Sequence, residues 1–289
     1  KKGKGKGGKP LPGDKISDLK KLQLDDMLAI LVENKIVNHY RPRRIKELVG
    51  DFNYLGTAHQ QHDARPDAGG SVKKWVPPAP SMAQLRAALT EYCILPLGSP
   101  AIKKNLPEHL NVKSMMLYGP SGAGKTMMVE AIANELGALF VNISPDRVSG
   151  LFPGKQGPTK LLHMIYKVAA EERDNEAAPP NPQAPVVVYM DECERFFEGG
   201  GKKSKAAKDG PTRFKKDLLT YKNQGFKPAD RVIIIGTTRS PEKADKKDLK
   251  AFFDKFLFVP YPDYPSRIML WRTFVNLCLE EKLGAEGLT

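Results

Sequence analysis

The apolar positions along the chain change their spacing from one region to the next, and each change marks a different kind of element. Between residues 11 and 56, Leu22, Leu24, Met27, Leu28, Leu31 and Val32 recur at helical intervals behind the polar opening Ser17-Asp18, which predicts an amphipathic helix. A second apolar set, Ile45, Leu48, Val49, Phe52, Tyr54 and Leu55, is expected to fold back on that helix, making 11–56 a small helical appendage. From 57 to 79 the periodicity stops and His, Gln, Gly, Asp and Pro take over, the composition of a linker. His59 and His62 in this stretch have metal-ligand spacing, but no Cys or further His accompanies them, so they read as solvated side chains.

Beyond residue 80 short apolar runs alternate with helical ones. A helix is predicted over 82–94, strands over 114–118, 138–143, 186–190, 232–236 and 256–259, and helices over 125–136, 158–170 and 212–222. Five strands separated by helices predict an α/β fold with a parallel sheet covered on both faces. Val186-Val187-Val188-Tyr189-Met190 is apolar at every position, as a central strand should be. Two polar low-complexity insertions, 171–185 and 198–210, interrupt the pattern as loops.

Composition narrows this picture without redrawing it. The chain has 289 residues, 40% hydrophobic and 27% charged, a globular balance that excludes a wholly disordered chain. No apolar run approaches the roughly 20 residues of a membrane helix, so no membrane partner is expected. The first ten residues are a Lys/Gly run with no apolar stretch behind it, a basic disordered tail and not a secretory signal. Cys93, Cys193 and Cys278 lack both disulfide-framework and metal spacing, and free thiols are expected. The formal charge, 46 − 33 = +13, is concentrated in that tail and in Lys202, Lys203, Lys205, Lys208, Arg213, Lys215 and Lys216. The rest of the chain is close to balanced, so the charge reads as solvated flexible tracts, or as docking on an acidic polymer such as nucleic acid or an acidic protein surface.

The candidate chemistry lies in two places. Gly119-Pro120-Ser121-Gly122-Ala123-Gly124-Lys125-Thr126 fits G-x-x-x-x-G-K-[ST] between a predicted strand and a predicted helix. Its glycines allow the backbone N–H groups to turn toward phosphate oxygens, and the helix adds its positive end. Lys125 would neutralise the β- and γ-phosphates and Thr126 would ligate Mg²⁺, so ATP and Mg²⁺ are the expected cofactors. The strand ending at Met190 runs into Asp191-Glu192, at the sheet edge where ligands of open α/β sheets bind. Asp191 is the candidate Mg²⁺ holder and Glu192 the candidate group that polarises the attacking water.

With these motifs in place the sequence resembles the AAA family of ATPases from about residue 80 onward. Leu85 to Leu97, ending Ile94-Leu95-Pro96-Leu97, looks like that family's helix into the core, and Val259-Pro260-Tyr261-Pro262-Asp263 falls in family order. The resemblance implies a P-loop NTPase (AAA+) core over 80–262, with 263–289 the start of a helical lid that this fragment truncates. A closer resemblance, carried by Phe152-Pro153-Gly154-Lys155, by Val232 to Arg239, by Pro262 to Arg267 with Leu270-Trp271, and by Asp51 to Leu55, is to the IQ and AAA domain-containing proteins. That family supplies a subunit of the nexin–dynein regulatory complex. It implies an axonemal location in cilia or flagella, with other subunits of that complex and the doublet microtubule as partners.

Departures from the family shape the expected mechanism. The arginine-finger positions fall on Phe252 and Leu249, with Lys250 and Lys255 nearby. In a ring such an arginine contributes of order 10³ or more in rate, so ATP binding is expected and a ring-driven homo-hexamer is not. The sensor asparagine corresponds to Arg239; Thr238 before it would hydrogen-bond the attacking water, while Arg239 itself is suited to a salt bridge. Phe152 occupies the substrate-gripping pore position, either in that role or as a core residue. Three functions stay open in order of preference: an ATP-binding scaffold or slow switch, an active hexameric remodeller of protein or microtubule substrates, and a nucleic-acid-handling ATPase.

Overall fold

The computed structural model describes residues 10–51, 79–170, 184–198 and 210–283. The basic tail, Phe52, Tyr54, Leu55, His59 and His62, most of the linker, most of both low-complexity insertions and Lys202 to Lys208 lie outside the described residues.

Strands β1 (Ser114–Tyr118), β2 (Leu139–Asn142), β3 (Val186–Met190), β4 (Val232–Thr238) and β5 (Lys255–Phe258) form one sheet in the order β2-β3-β4-β1-β5. Every pairing is parallel. β3 and β4 are buried at every residue because helices cover both faces of the sheet, the reason their sequences are uninterrupted apolar runs. Alternate side chains go to two clusters: Val186, Val188, Met190, Val232 and Ile234 to one face, and Val187, Tyr189, Ile233 and Ile235 to the other.

The predicted helices are present with shifted ends. Residues Leu24–Glu33 form α1, Met82–Leu89 α2, Lys125–Leu136 α3, Gly157–Ala169 α4, Lys215–Thr220 α5, Lys246–Phe252 α6 and Tyr264–Leu283 α7. Ser81 starts α2 with a reciprocal cap: its Oγ accepts from the Gln84 N–H at 3.3 Å, and Gln84 Oε1 accepts from the Ser81 N–H at 2.9 Å. A wide turn over Thr90–Ile94 carries the helix on to Leu95–Gly98. Gly137, left-handed at φ 56°, ends α3. α3 buries Met128, Val129, Ile132 and Ala133 in the same cluster as Leu85 and Leu89 of α2, while α4 lies on the opposite face.

The described residues of the appendage's two apolar sets do not fold on each other. Met27 and Leu31 of α1 join α4 in one cluster, whereas Leu48, with Ile45 packed against it, joins Leu85 and Leu89 in the other. The chain passes between the two faces along the edge of β2, where the Asn142 N–H donates to Ile36 O at 2.7 Å and the Asn38 N–H to Phe140 O at 3.1 Å. Arg86 then donates to Gly50 O at 2.8 Å.

One buried contact ties the appendage to α4. The Gly13 N–H donates to Tyr221 Oη at 3.1 Å, and Tyr221 Oη lies 3.1 Å from His163 Nδ1. A Cβ at Gly13 would sit 2.2 Å from His163 Cγ, so only glycine permits this approach. Burial, partly offset by Asp14, lowers the His163 pKa below its ordinary 6.5. The unfolded chain then binds the proton more readily than the folded one. The histidine's contribution to stability is full above about pH 6.5 and is lost as pH falls through the lower folded value. Melting temperatures should therefore drop between pH 7 and pH 5, and His163→Gln should flatten that drop.

Candidate functional site

The carboxyl ends of β1, β3 and β4 meet at one edge of the sheet, because all three run parallel and adjacent. The loop after β1 turns sharply there. Gly119 has φ 153°, and a Cβ on it would lie 2.1 Å from Val259 O, which requires glycine. Gly124 is left-handed at φ 90° and opens α3 with no side chain in the way of its exposed N–H groups. Lys125 folds over this loop, its Nζ donating to Gly119 O at 2.8 Å and Pro120 O at 2.6 Å. Burial lowers the Lys125 pKa, Asp191 opposes the shift, and Arg239 adds to it.

A cavity of about 370 Å³ opens above the loop, lined by Ser121, Gly122, Gly124, Lys125, Thr126 and Met127, with Asp191 and Glu192 from the end of β3 and Arg239 from the end of β4. Gly119, Pro120 and Ala123 shape the loop from behind and do not line the cavity. The fold thus brings the phosphate-loop residues and both acids into one place.

Asp191 is firmly set. Its N–H donates to Ser144 Oγ at 2.8 Å, and its Oδ1 accepts from Thr237 Oγ1 at 2.6 Å and from the Glu192 N–H at 3.0 Å. Glu192 stands in the left-handed region at φ 44°, an unusual conformation for a non-glycine residue that functional sites tend to hold. Its carboxylate lies between two arginines, Arg195 at 3.2 Å and Arg239 at 3.4 Å. Thr238 is buried and does not line the cavity; its Oγ1 accepts from the Ser240 N–H at 3.0 Å and bonds to Glu194. Glu194 is itself buried with Oε2 unpartnered, and burial raises its carboxyl pKa.

The loop, the acids at the strand tip and the strand order are those of a nucleotide-binding ATPase. The profile of the ATPase family associated with various cellular activities, AAA, matches residues 115–261. The chain belongs to the AAA family. It is 31% identical to mouse (Mus musculus) dynein regulatory complex protein 11 over 87% of this chain and 27% of that protein. It is 29% identical to the proteasome-activating nucleotidase of Thermococcus kodakarensis over 70% of this chain and 45% of that protein. The chain therefore spans about a quarter to a half of these relatives. Among solved structures, the FIGL-1 AAA domain in complex with ADP superposes with a TM-score of 0.54 at 20% identity, covering 89% of this chain and 68% of that one, a likeness of fold.

Against the AAA frame the departures acquire positions. Leu249 and Phe252 are both buried, and Phe252 is fully so. Its ring packs against Phe197 and Phe253 at centroid distances of 5.0 and 4.9 Å, and its carbonyl accepts from Ser114 Oγ at 2.7 Å. Lys250 and Lys255 are exposed. Phe152 is half-buried against the core, left-handed at φ 51°, with its carbonyl accepting from Arg213 at 3.1 Å. Arg239 does form a salt bridge, and it forms it with Glu192.

Four side chains at this site were not singled out from sequence: Ser144, Tyr189, Arg195 and Thr237. Only Tyr189 left a readable mark, a hydroxyl inside an otherwise aliphatic central strand. Arg195 reaches Glu192 at i,i+3 spacing, whereas Ser144 and Thr237 act on Asp191 from distant segments that no local spacing encodes. Among the described residues no group of three or more His, Cys, Asp and Glu side chains is clustered as a metal site, and no helix is long and apolar enough to cross a membrane. Cys93, Cys193 and Cys278 are free thiols.

Proposed function

We propose that this chain is the ATP·Mg²⁺-binding AAA module of a nexin–dynein regulatory complex subunit in the ciliary or flagellar axoneme, where nucleotide acts as a structural ligand or slow switch. The observation that carries this reading is one contrast: a complete phosphate cradle at Gly119 to Thr126 beside a buried aromatic, Phe252, where ring ATPases expose an arginine. The similarity to mouse dynein regulatory complex protein 11 supports the location and the partners, other subunits of the complex and the doublet microtubule.

The residues fit the nucleotide they are proposed to hold. Gly122 and Gly124, both left-handed, line the cavity with Lys125, Thr126 and Asp191, so loop N–H groups and the ammonium would hold phosphate and the Thr126 and Asp191 oxygens would hold Mg²⁺. Bound Mg²⁺ would neutralise phosphate charge. Glu192 is the candidate base for water, and its pairing with Arg195 and Arg239 keeps the carboxylate occupied, which favours slow turnover. Thr238, turned toward Ser240 and Glu194, is left a supporting role behind the β4 tip.

The second reading, an active hexameric remodeller, draws on Glu192 at the cavity and the aromatic Phe152. The two separate by steady-state hydrolysis. The switch reading expects turnover well below about 1 s⁻¹, the low end of ordinary enzyme rates, and independent of protein concentration. Turnover near that rate, rising cooperatively with concentration and lost in Glu192→Gln, would establish the remodeller instead.

A further inference from the structure

The hydroxyl of Tyr189 sits where the other positions of β3 carry hydrocarbon or sulfur. Its ring is buried in the cluster beneath α3, tilted against Phe140 at 5.6 Å, and a phenylalanine would fill that space equally well. The hydroxyl, however, lies 3.3 Å from Thr126 Oγ1 and 3.2 Å from Thr237 Oγ1, and Thr237 Oγ1 lies 2.6 Å from Asp191 Oδ1. These four groups form one chain from the phosphate loop to the acid at the tip of β3.

The direction of the chain follows from counting protons. A carboxylate only accepts, and each hydroxyl has one proton to give. At 2.6 Å the Thr237 proton belongs to Asp191. Tyr189 Oη takes a weaker share of that proton at 3.2 Å, and in its contact with Thr126 at 3.3 Å, where either hydroxyl can donate, it has a lone pair free to accept the proton of Thr126.

We infer that Tyr189 is a positioning residue for cation binding: by accepting the Thr126 proton it fixes that hydroxyl with its oxygen lone pairs turned toward the cavity, and it couples Thr126 to Asp191 through Thr237. A hydroxyl that ligates a metal has to place its proton elsewhere, and here the acceptor is supplied by a buried tyrosine. The inference rests on the proposed ATP·Mg²⁺ reading of the same site.

Binding of a fluorescent ATP analogue, measured with excess EDTA and with Mg²⁺, tests it. The readout is the ratio of the two affinities, which isolates the cation from the phosphate contacts. Tyr189→Phe keeps the ring and removes the hydroxyl, and the Mg²⁺ enhancement should shrink by about three- to tenfold, the worth of one lost hydrogen bond. Thr237→Val breaks the same chain one link further on and should act in the same direction. An equal loss of affinity with and without Mg²⁺, or an unchanged ratio, overturns the inference while leaving the nucleotide reading in place. A wild-type chain with no Mg²⁺-dependent affinity overturns both. Unfolding of both variants also overturns it, because the chain of hydroxyls would then serve the fold.

Discussion

Replacing Lys125 with alanine is expected to lower ATP affinity roughly a hundredfold, the effect of losing a charge-assisted contact of about 3 kcal/mol. The ammonium donates to two carbonyls of its own loop, Gly119 and Pro120, and among the described residues no acidic side chain lies within hydrogen-bond reach of it. Phosphate oxygens are better acceptors than those carbonyls, so the lysine is poised to exchange one set for the other. Removing it costs the fold little, since the loop is already held by Gly119, which donates to Thr238 O at 3.2 Å, and by the start of α3. The melting temperature of Lys125→Ala should stay within about 3 °C of wild type, less than about 1 kcal/mol for a chain of this size. Calorimetric titration with ATP·Mg²⁺ beside a thermal melt reads both quantities. An alanine variant that binds ATP as tightly as wild type would remove the cavity at Lys125 from consideration as the nucleotide site.

The parts of this site that sequence exposes are those fixed by local backbone chemistry. A phosphate loop has to spell out its glycines because their φ values and close approaches forbid other residues, as Gly119 against Val259 O shows. The central strands are legible for a similar reason: burial on both faces forces apolar runs, and β3 and β4 comply at nearly every position. What stays hidden depends on segments far apart in the chain. Asp191 owes its setting to Ser144 and Thr237, 47 and 46 residues away, and no spacing rule predicts such partners. The appendage misleads for the complementary reason. Its two apolar sets look made for each other in sequence, yet their described residues pack on opposite faces of the sheet. Thr238 is a milder case: its place beside Arg239 suggests the cavity, but the last residues of β4 alternate, and its turn faces inward toward Glu194.

Installing an arginine at Phe252 is expected to destabilise the chain by more than about 4 kcal/mol, and it should bring no gain in ATP turnover. The side chain there has no exposed surface and sits among Phe197 and Phe253. Truncating such a residue to alanine already costs about 3–5 kcal/mol; a guanidinium in the same place adds an unpaired buried charge. Against a total stability of about 5–15 kcal/mol, the melting temperature should fall by about 8–16 °C. The nearest cation is no substitute inside the cluster, because Lys222 already donates to the Phe252 carbonyl and pairs with Asp254 at 2.6 Å. Lys250→Arg supplies the control: the site is exposed, the change is worth under about 0.5 kcal/mol, and the guanidinium reaches solvent. If the arginine finger had been lost by one recent substitution, Phe252→Arg would fold normally and acquire turnover that rises with protein concentration. A collapse in stability with turnover unchanged means instead that the surrounding aromatics hold the position as core.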